Sequence, residues 1–133
     1  MASILKVDTI TGVATAGSIA ITGEGNSTTT NLQQGLAKAW GQFEGSDATV
    51  DDSLNTASLT DNGTGDFSAN FTNNMGNASY GYAGAADVTA NSASNGGCFP
   101  HAPATTDLDI ETASGGNLAD RNNTTYVVHG DLA

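Results

Sequence analysis

The chain has 133 residues, a formal net charge of −11 at pH 7 and one cysteine. Its lysine and arginine residues are Lys6, Lys38 and Arg121, so we expect neither nucleic acid nor membrane insertion, because phosphates and anionic lipids attract clusters of positive charge. No apolar run approaches the roughly 18 residues of a membrane span, and a single cysteine excludes an intrachain disulfide framework.

Small and polar residues dominate the composition. Gly, Ala, Ser, Thr and Asn supply 79 residues, whereas Leu, Ile, Val and Phe supply 23. Such a low share of large apolar residues, with a high net charge, is typical of disordered chains. Regular strand patterns that include aromatic residues nevertheless indicate a folded domain. Because a monomer of this composition can bury little apolar surface, we expect it to complete its core by oligomerisation.

The first 30 residues predict an extended N-terminal arm. Two short segments, Ser3–Ile10 and Ser18–Thr22, have the β-branched or alternating pattern of strands, and neither contains an aromatic residue. The large apolar residues of these segments are Ile4, Leu5, Val7, Ile19 and Ile21. The N-terminus lacks the apolar core and cleavage site of a signal peptide, which predicts synthesis in the cytoplasm and export, if any, inside a larger particle.

A second region begins after residue 30. Asn31–Leu36 predicts a helical turn or a loop, and Ala37–Phe43 predicts a strand. In that strand the small residues and Phe43 alternate with longer side chains, so Phe43 and Trp40 fall on opposite faces. Thr49–Leu54 predicts the next strand.

Leu59–Thr72 predicts a β-hairpin. Phe67 and Phe71 fall on one face of its second strand, and the polar turn between the strands reads DNGTGD. The Asn-Gly pair within that turn supplies the left-handed conformations that hairpin turns need. We interpret the turn as a structural feature and not as a calcium loop, because the twelve-residue spacing and the closing Glu of an EF-hand are absent.

The remaining strands are predicted from shorter patterns. They are Ser79–Ala86, with Tyr80 and Tyr82 on one face, Leu108–Thr112 and Tyr126–His129. Turns or loops are predicted over Asn73–Asn77, Thr89–Pro103 and Gly115–Asn123. The last two of these loops are the expected places for outward contacts, since loops on a rigid scaffold carry much of protein recognition.

Strands recur roughly every 8–15 residues, and no segment has a helical period over 11 or more residues. The sequence therefore predicts an all-β chain, with an antiparallel, jelly-roll-like β-sandwich domain over residues 31–133 preceded by the arm over residues 1–30. The residues expected to pack its core or the interface between subunits are Trp40, Phe43, Phe67, Phe71, Tyr80 and Tyr82.

The sequence predicts no catalytic, cofactor or metal site. Cys98 and His101 form one half of a zinc site without a matching pair. In a trimer, one histidine would be supplied three times, so a metal on the threefold axis stays an open alternative. Asp107, Asp109 and Glu111 share one strand face. That pattern is more typical of a solvated surface than of the paired carboxylates of a glycosidase.

Trp40 has two interpretations. Sugar sites use exposed aromatic side chains beside polar groups, and this chain is rich in Asn, Asp and Thr. The scarcity of large residues favours the second interpretation, in which Trp40 packs in the core or between subunits.

Three stretches resemble a domain found in fibre and other virion proteins of tailed phages, especially phages of marine bacteria and cyanobacteria. They are NLQQGLAKAW (Asn31–Trp40), SLTDNGTGDFSANFTNNM (Ser58–Met75) and the closing VVHGDLA. The opening MASILKVDTI is similar to the N-termini of such proteins. The resemblance implies a β-rich, trimeric, non-enzymatic protein on the virion surface, made in the host cytoplasm and without a cofactor.

The resemblance also implies partners. We expect the arm to bind other virion proteins (capsid, portal or tail) or neighbouring copies of the chain through strand pairing. A host-surface glycan is a further candidate partner. The chain is shorter than a long host-reaching fibre, so several positions on the virion stay open: a short fibre that contributes to host adsorption, a tail-tip or adaptor component, and a capsid decoration or head-fibre protein. A glycan-binding receptor-recognition tip of a tail fibre is an alternative. Two rival functions are a tailspike-like polysaccharide depolymerase, which needs a carboxylate pair, and a secreted carbohydrate-binding module.

Overall fold

The computed structural model of the chain describes residues 5–12, 19–22, 29–86 and 97–133. The chain divides into two compact units, Met1–Leu36 and Ala37–Ala133. The division falls shortly after residue 30, where the sequence suggests that the arm ends.

The described residues of the N-terminal unit form one short pair of antiparallel strands and one helical turn. These elements are β1 (Ala20–Thr22), β2 (Thr29–Asn31) and α1 (Leu32–Gly35). Ile21 lies opposite Thr30 in the strand pair. The Leu32 N–H donates a hydrogen bond to the Ile19 carbonyl at 2.9 Å, which joins α1 to the residue before β1. The described part of the chain has no helix with the length and hydrophobicity of a membrane span.

The predicted strand over Ser3–Ile10 is wrong for the part that the structure describes. Leu5–Gly12 forms no strand, and Ile4 lies outside the described residues. A strand is stabilised by hydrogen bonds to a neighbour, and no described strand pairs with this segment. The second predicted strand, over Ser18–Thr22, is confirmed for Ala20–Thr22.

The second unit is built from nine strands among its described residues. They are β3 (Ala37–Glu44), β4 (Thr49–Leu54), β5 (Thr56–Gly63), β6 (Asp66–Phe71), β7 (Gly81–Ala85), β8 (Gly97–His101), β9 (Asp107–Ser114), β10 (Asn117–Leu118) and β11 (Thr124–His129).

These strands form two antiparallel sheets. Sheet I has the order β4-β3-β11-β7, and sheet II has the order β10-β9-β6-β5, with β8 also paired to β9. The inward-facing residues of both sheets belong to one core cluster. The prediction of an all-β chain with antiparallel sheets is confirmed, and the two packed sheets form the sandwich that it describes.

The core lies between the two sheets. Its buried apolar residues are Ala39, Phe43, Phe67, Ala69, Phe71, Met75, Tyr80, Leu108, Ile110, Tyr126 and Val128. Phe43 of sheet I meets Phe67 of sheet II edge to face, with ring centroids 5.2 Å apart. The strands that supply these residues alternate buried and partly exposed positions, as the period of two requires.

The chain crosses from sheet I to sheet II at Asn55, between β4 and β5. Asn55 has a φ of 59°, a left-handed conformation that Asn adopts more readily than most residues. Its Oδ1 accepts a hydrogen bond from the Asn73 N–H at 2.7 Å, and its Nδ2 donates to the Asn73 carbonyl at 3.0 Å. The crossing is therefore tied to the segment that follows β6.

The predicted hairpin is present as β5 and β6, and its turn lies within the predicted DNGTGD segment but is shorter. Asn62 and Gly63 belong to β5, and the turn consists of Thr64 and Gly65. Gly63 and Gly65 both have positive φ values, 141° and 68°, whereas Asn62 does not. A Cβ at Gly65 would lie 2.5 Å from the Thr112 carbonyl oxygen, so the neighbouring backbone excludes any side chain there. Tertiary packing thus restricts position 65 of the turn to glycine.

Two segments predicted as loops contain strands. β8 lies in the predicted loop Thr89–Pro103, of which residues 89–96 fall outside the described part, and β10 lies in the predicted loop Gly115–Asn123. Pro100 weakens a strand prediction because proline lacks the N–H of a ladder hydrogen bond. It is tolerated in β8, which in the described part pairs along one edge only, with β9.

Phe67→Ala should destabilise the sandwich by about 3–5 kcal/mol, because Phe67 is fully buried and its removal leaves a cavity beside Phe43. Urea unfolding monitored by circular dichroism at one protein concentration measures this change. Phe99→Ala is the matched control, since Phe99 is 55% exposed and its loss should change the free energy of unfolding by less than about 0.5 kcal/mol. Equal effects of the two substitutions would contradict the described core.

Candidate functional site

The six aromatic residues expected to pack the core or an interface have different environments. Phe43, Phe67, Phe71 and Tyr80 are members of the core. Tyr82 is 39% exposed, with its ring centroid 6.1 Å from that of Tyr80. Trp40 lies outside the core cluster, on the opposite face of β3 from Phe43. The role of Trp40 in an interface between subunits stays a prediction.

Trp40 occupies the middle of an apolar row on the outer face of sheet I. The register places it opposite Leu54 of β4 on one side and Val127 of β11 on the other. Val127 in turn lies opposite Ala83 of β7. We call these four residues, Leu54, Trp40, Val127 and Ala83, the Trp40 row. Leu54 is 47% exposed, Ala83 is exposed, and the other two residues are partly exposed.

A shallow depression of about 370 Å³ lies next to the Trp40 row. It is lined by three consecutive residues from each of two paired strands, Ala83–Ala85 of β7 and Thr125–Val127 of β11. Cys98 and Pro100, which pack against the inner side of Gly84, do not line it, so the depression opens on the outer face. The small side chains of β7 create the space.

Polar residues flank the Trp40 row. Gln42 lies two positions along β3, and its Nε2 donates a hydrogen bond to Asn123 Oδ1 at 3.2 Å. The register places Asp52 and Thr125 on either side of Gln42. On the other side of the row, Lys38 precedes Trp40 by two residues on the same strand. The outer face of sheet I therefore combines an apolar centre with hydrogen-bonding edges.

The outer face of sheet II is polar and hydrogen-bonded within itself. Ser68 donates to Asp109 Oδ1 at 2.7 Å and accepts from Asn62 Nδ2 at 2.8 Å. Asn70 Nδ2 donates to the hydroxyls of Ser58 and Thr60. Because these neighbours already satisfy the side chains, the face has the character of a solvated surface.

Three carboxylates on sheet II do not form a glycosidase-like arrangement. Asp107, Asp109 and Glu111 project from the same side of a single strand, β9, whereas the carboxyl groups of a glycosidase flank the scissile bond. Asp107 accepts a hydrogen bond from the Thr106 hydroxyl at 2.6 Å. The expectation that these residues share one strand face agrees with their alternation with buried Leu108 and Ile110.

Cys98 and His101 both lie on β8, near its two ends. The Cys98 thiol points towards the Thr125 carbonyl at 3.9 Å, and His101 Nδ1 lies 3.2 Å from the Phe99 carbonyl. Among the described residues, no group of three or more His, Cys, Asp or Glu side chains could hold a metal ion. Burial raises the pKa of the Cys98 thiol to about 11, which disfavours the reactive thiolate.

The hydroxyls of the core are fully used. Tyr80 OH lies 2.9 Å from the carbonyl oxygens of both Ala104 and Asp107, between which it shares its proton. Tyr126 OH bonds to the Thr56 hydroxyl across the two sheets. Burial, followed by the nearby Asp107 carboxylate, raises the pKa of Tyr80 to about 12, and burial also raises the pKa of Tyr126. These tyrosines stabilise the sandwich as neutral phenols.

The N-terminal unit also exposes large apolar side chains among its described residues. Five of these side chains are more than half exposed: Leu5, Val7, Ile10, Ile21 and Leu36. Ile19 is partly buried. Three arm residues predicted to make contacts, Leu5, Val7 and Ile21, are therefore available to a partner.

No family model, curated protein or solved structure matches the chain. The candidate surfaces therefore rest on the residues themselves. Sequence reasoning placed Trp40 opposite Phe43 on their strand but did not find the Trp40 row, because its remaining members come from β4, β7 and β11. Their alternation marks them as outward-facing, yet only the register between strands brings them together.

Cys98 should react with Ellman's reagent at pH 8 about a hundredfold more slowly in the folded chain than in the same chain unfolded in urea. Raising the thiol pKa from 9.0 to about 11 lowers the thiolate fraction by about that factor. As Cys98 is the single cysteine, the absorbance change reports on this site alone. Equal rates in the two states would contradict the buried position.

The free energy of unfolding should fall as the pH rises from 10 to 12. The folded pKa of Tyr80, about 12, exceeds its ordinary value of 10.0, so folding favours the neutral phenol. That contribution is complete below pH 10 and is lost as the pH rises through the folded pKa. Urea unfolding across this range should show a shallower decline for Tyr80→Phe than for the unsubstituted chain. Parallel declines would contradict the prediction.

Proposed function

We propose that the chain is a non-enzymatic structural protein of a phage virion, a short fibre or a surface decoration that attaches to the particle through its N-terminal unit. The observation that carries this proposal is the exposed apolar surface of that unit. The resemblance to virion proteins of tailed phages supplies the biological setting, and the sandwich of the second unit is a suitable rigid surface module.

The N-terminal unit requires a partner on energetic grounds. A two-stranded sheet is marginal in water, and β1 and β2 have three residues each. Burying one large aliphatic side chain stabilises a structure by about 1.5–3 kcal/mol, a contribution that Leu5, Val7 and Ile21 do not make while they are exposed. Pairing with strands of another chain would cover these side chains and satisfy the strand edges.

We propose two kinds of partner: neighbouring copies of the chain, which together form a trimer, and another protein of the virion. A core with few large residues supports oligomerisation, because association extends the buried apolar surface without a larger chain. The net charge of −11 supports solubility of the assembled surface, since like-charged particles repel one another.

Ile21→Asp should remove the chain from the virion, because a carboxylate at the partner-facing strand is costly to bury. Particles of the phage that encodes the chain would be purified and their proteins quantified by mass spectrometry. Leu118→Asp is the matched control: Leu118 is 47% exposed on β10 of the second unit. We expect mass spectrometry to detect the chain in unsubstituted and Leu118→Asp particles but not in Ile21→Asp particles. The three forms of the chain should be equally abundant in the soluble fraction of the lysate.

Electron cryomicroscopy of the same particles would show whether the chain lies on the head or on the tail. Density with threefold symmetry at this chain would support the trimer. A chain that is abundant in infected cells and missing from purified unsubstituted particles would overturn the proposal. Particles that retain the Ile21→Asp chain at the normal level would overturn attachment through the N-terminal unit.

A further inference from the structure

The turn end of the hairpin carries an Asn-Gly pair that the proposed function does not use. Asn62 and Gly63 are the last two residues of β5. In such a pair, the main-chain nitrogen of the glycine can attack the side-chain amide carbon of the asparagine, because glycine has no side chain to block the approach. The way in which the fold holds the two reacting groups therefore decides whether the chain is modified there.

Asn62 lies at an irregularity in the ladder between β5 and β6. Asp61 lies opposite Phe67 in the register. Gly63 lies opposite Asp66, so two steps along β5 correspond to one step along β6. The extra residue, Asn62, forms a β-bulge, which disrupts the ladder locally. Both residues of the pair are exposed, and a Cβ placed on Gly63 would meet no heavy atom within 4 Å. Water therefore reaches the pair.

Two hydrogen bonds hold the reacting groups in place. The Asn62 Nδ2 donates to Ser68 Oγ at 2.8 Å, which fixes the side-chain amide against β6. The Gly63 N–H donates to Asp61 Oδ1 at 2.9 Å, so the future nucleophile is also engaged. Ring closure swings the side chain towards the main chain and removes the proton from the Gly63 nitrogen. Both hydrogen bonds must break before the reaction can begin.

The hydroxyl of Ser68 requires a donor at position 62. It gives its single proton to Asp109 Oδ1 on β9, at 2.7 Å. Towards Asn62 it therefore presents a lone pair, which matches the N–H of an amide. An ionised carboxylate has no proton to donate and would place a second acceptor against the same oxygen. The hydrogen-bonded row on the outer face of sheet II thus favours an amide at position 62.

We propose that Asn62 is a deamidation site, which the folded hairpin keeps closed and which opening of its turn end exposes to reaction. In the open state the Gly63 nitrogen gives its proton to hydroxide from the solvent and attacks Cγ of Asn62. The N–Cγ bond forms, the Cγ–Nδ2 bond breaks, and the amide nitrogen leaves as ammonia. Water then opens the succinimide. Cleavage of the new N–Cγ bond yields aspartate, and cleavage of the bond to the main-chain carbonyl yields isoaspartate.

Both products oppose the return to the closed hairpin. A carboxylate at position 62 adds a negative charge near Asp61 and Asp109 in a chain whose net charge is already −11. It also loses the hydrogen bond to Ser68. Isoaspartate in addition lengthens the main chain by one carbon, which disturbs the register between β5 and β6. The inference concerns the lifetime of the folded domain and does not depend on the proposed function.

Peptide mapping measures the reaction directly. The chain would be incubated at pH 9, folded in buffer or unfolded in guanidinium chloride, and chymotryptic peptides would be analysed by liquid chromatography and mass spectrometry, which separate asparagine, aspartate and isoaspartate forms. The second Asn-Gly pair, Asn95-Gly96, is an internal reference in the unfolded chain. There the two pairs should react at similar rates. In the folded chain Asn62 should react about thirtyfold more slowly than in the unfolded chain, the factor that two ordinary hydrogen bonds supply.

Variants test whether the bond to Ser68 closes the site. Ser68→Ala should speed deamidation of Asn62 in the folded chain about fivefold, because one hydrogen bond is lost. Ser68→Thr keeps the hydroxyl and should stay within about twofold of the unsubstituted rate. Asn70→Ala is the matched control for general loosening of the same strands, since it removes bonds to Ser58 and Thr60 away from the turn. Its rate should also stay within about twofold.

Equal rates for Asn62 in the folded and unfolded unsubstituted chain would overturn the inference, and this comparison needs no substitution. Equal rates in Ser68→Ala and Ser68→Thr would also contradict it. If Ser68→Ala and Asn70→Ala speed the reaction to the same extent, general loss of stability and not release of Asn62 controls the rate, and the inference fails. These measurements use the purified chain without phage particles, so their failure is distinguishable from failure of the proposed function.

Discussion

The edge-to-face contact between Phe43 and Phe67 is the interaction on which the second unit depends. It joins the two sheets at the centre of a core that has few large side chains. Because Phe67 lies on the second strand of the hairpin, the contact couples the turn at Gly65 to the packing of sheet I on sheet II. In a chain where small residues dominate, each aromatic side chain carries a large share of the buried area.

Hydroxyl groups add hydrogen bonds to the apolar contacts that hold the core together. Tyr80 donates to the carbonyls of Ala104 and of Asp107, the first residue of β9, and Tyr126 bonds to Thr56 across the two sheets. Thr112 and Thr124 are fully buried and donate to the carbonyls of Ala119 and Arg121. No buried polar side-chain atom among the described residues lacks a partner. A polar composition is therefore compatible with a well-packed sandwich, because its buried polar groups are paired.

The apolar residues outside the core include two sets of different character, one in the N-terminal unit and one in the Trp40 row. Those of the N-terminal unit are aliphatic and accompany short strands, which suits pairing with another chain. The Trp40 row is narrow, aromatic at its centre and bordered by polar side chains.

Composition and alternation by themselves determined the all-β class, the strands that contain Phe43, Phe67 and Tyr126, and the opposite orientations of Phe43 and Trp40, because a period of two is a local property of the chain. Tertiary structure alone decided that position 65 of the turn is restricted to glycine, that Pro100 lies in a strand, and that Leu54, Val127 and Ala83 align with Trp40. Those features depend on which strands become neighbours and in what register, and a register is set by contacts between residues far apart in sequence.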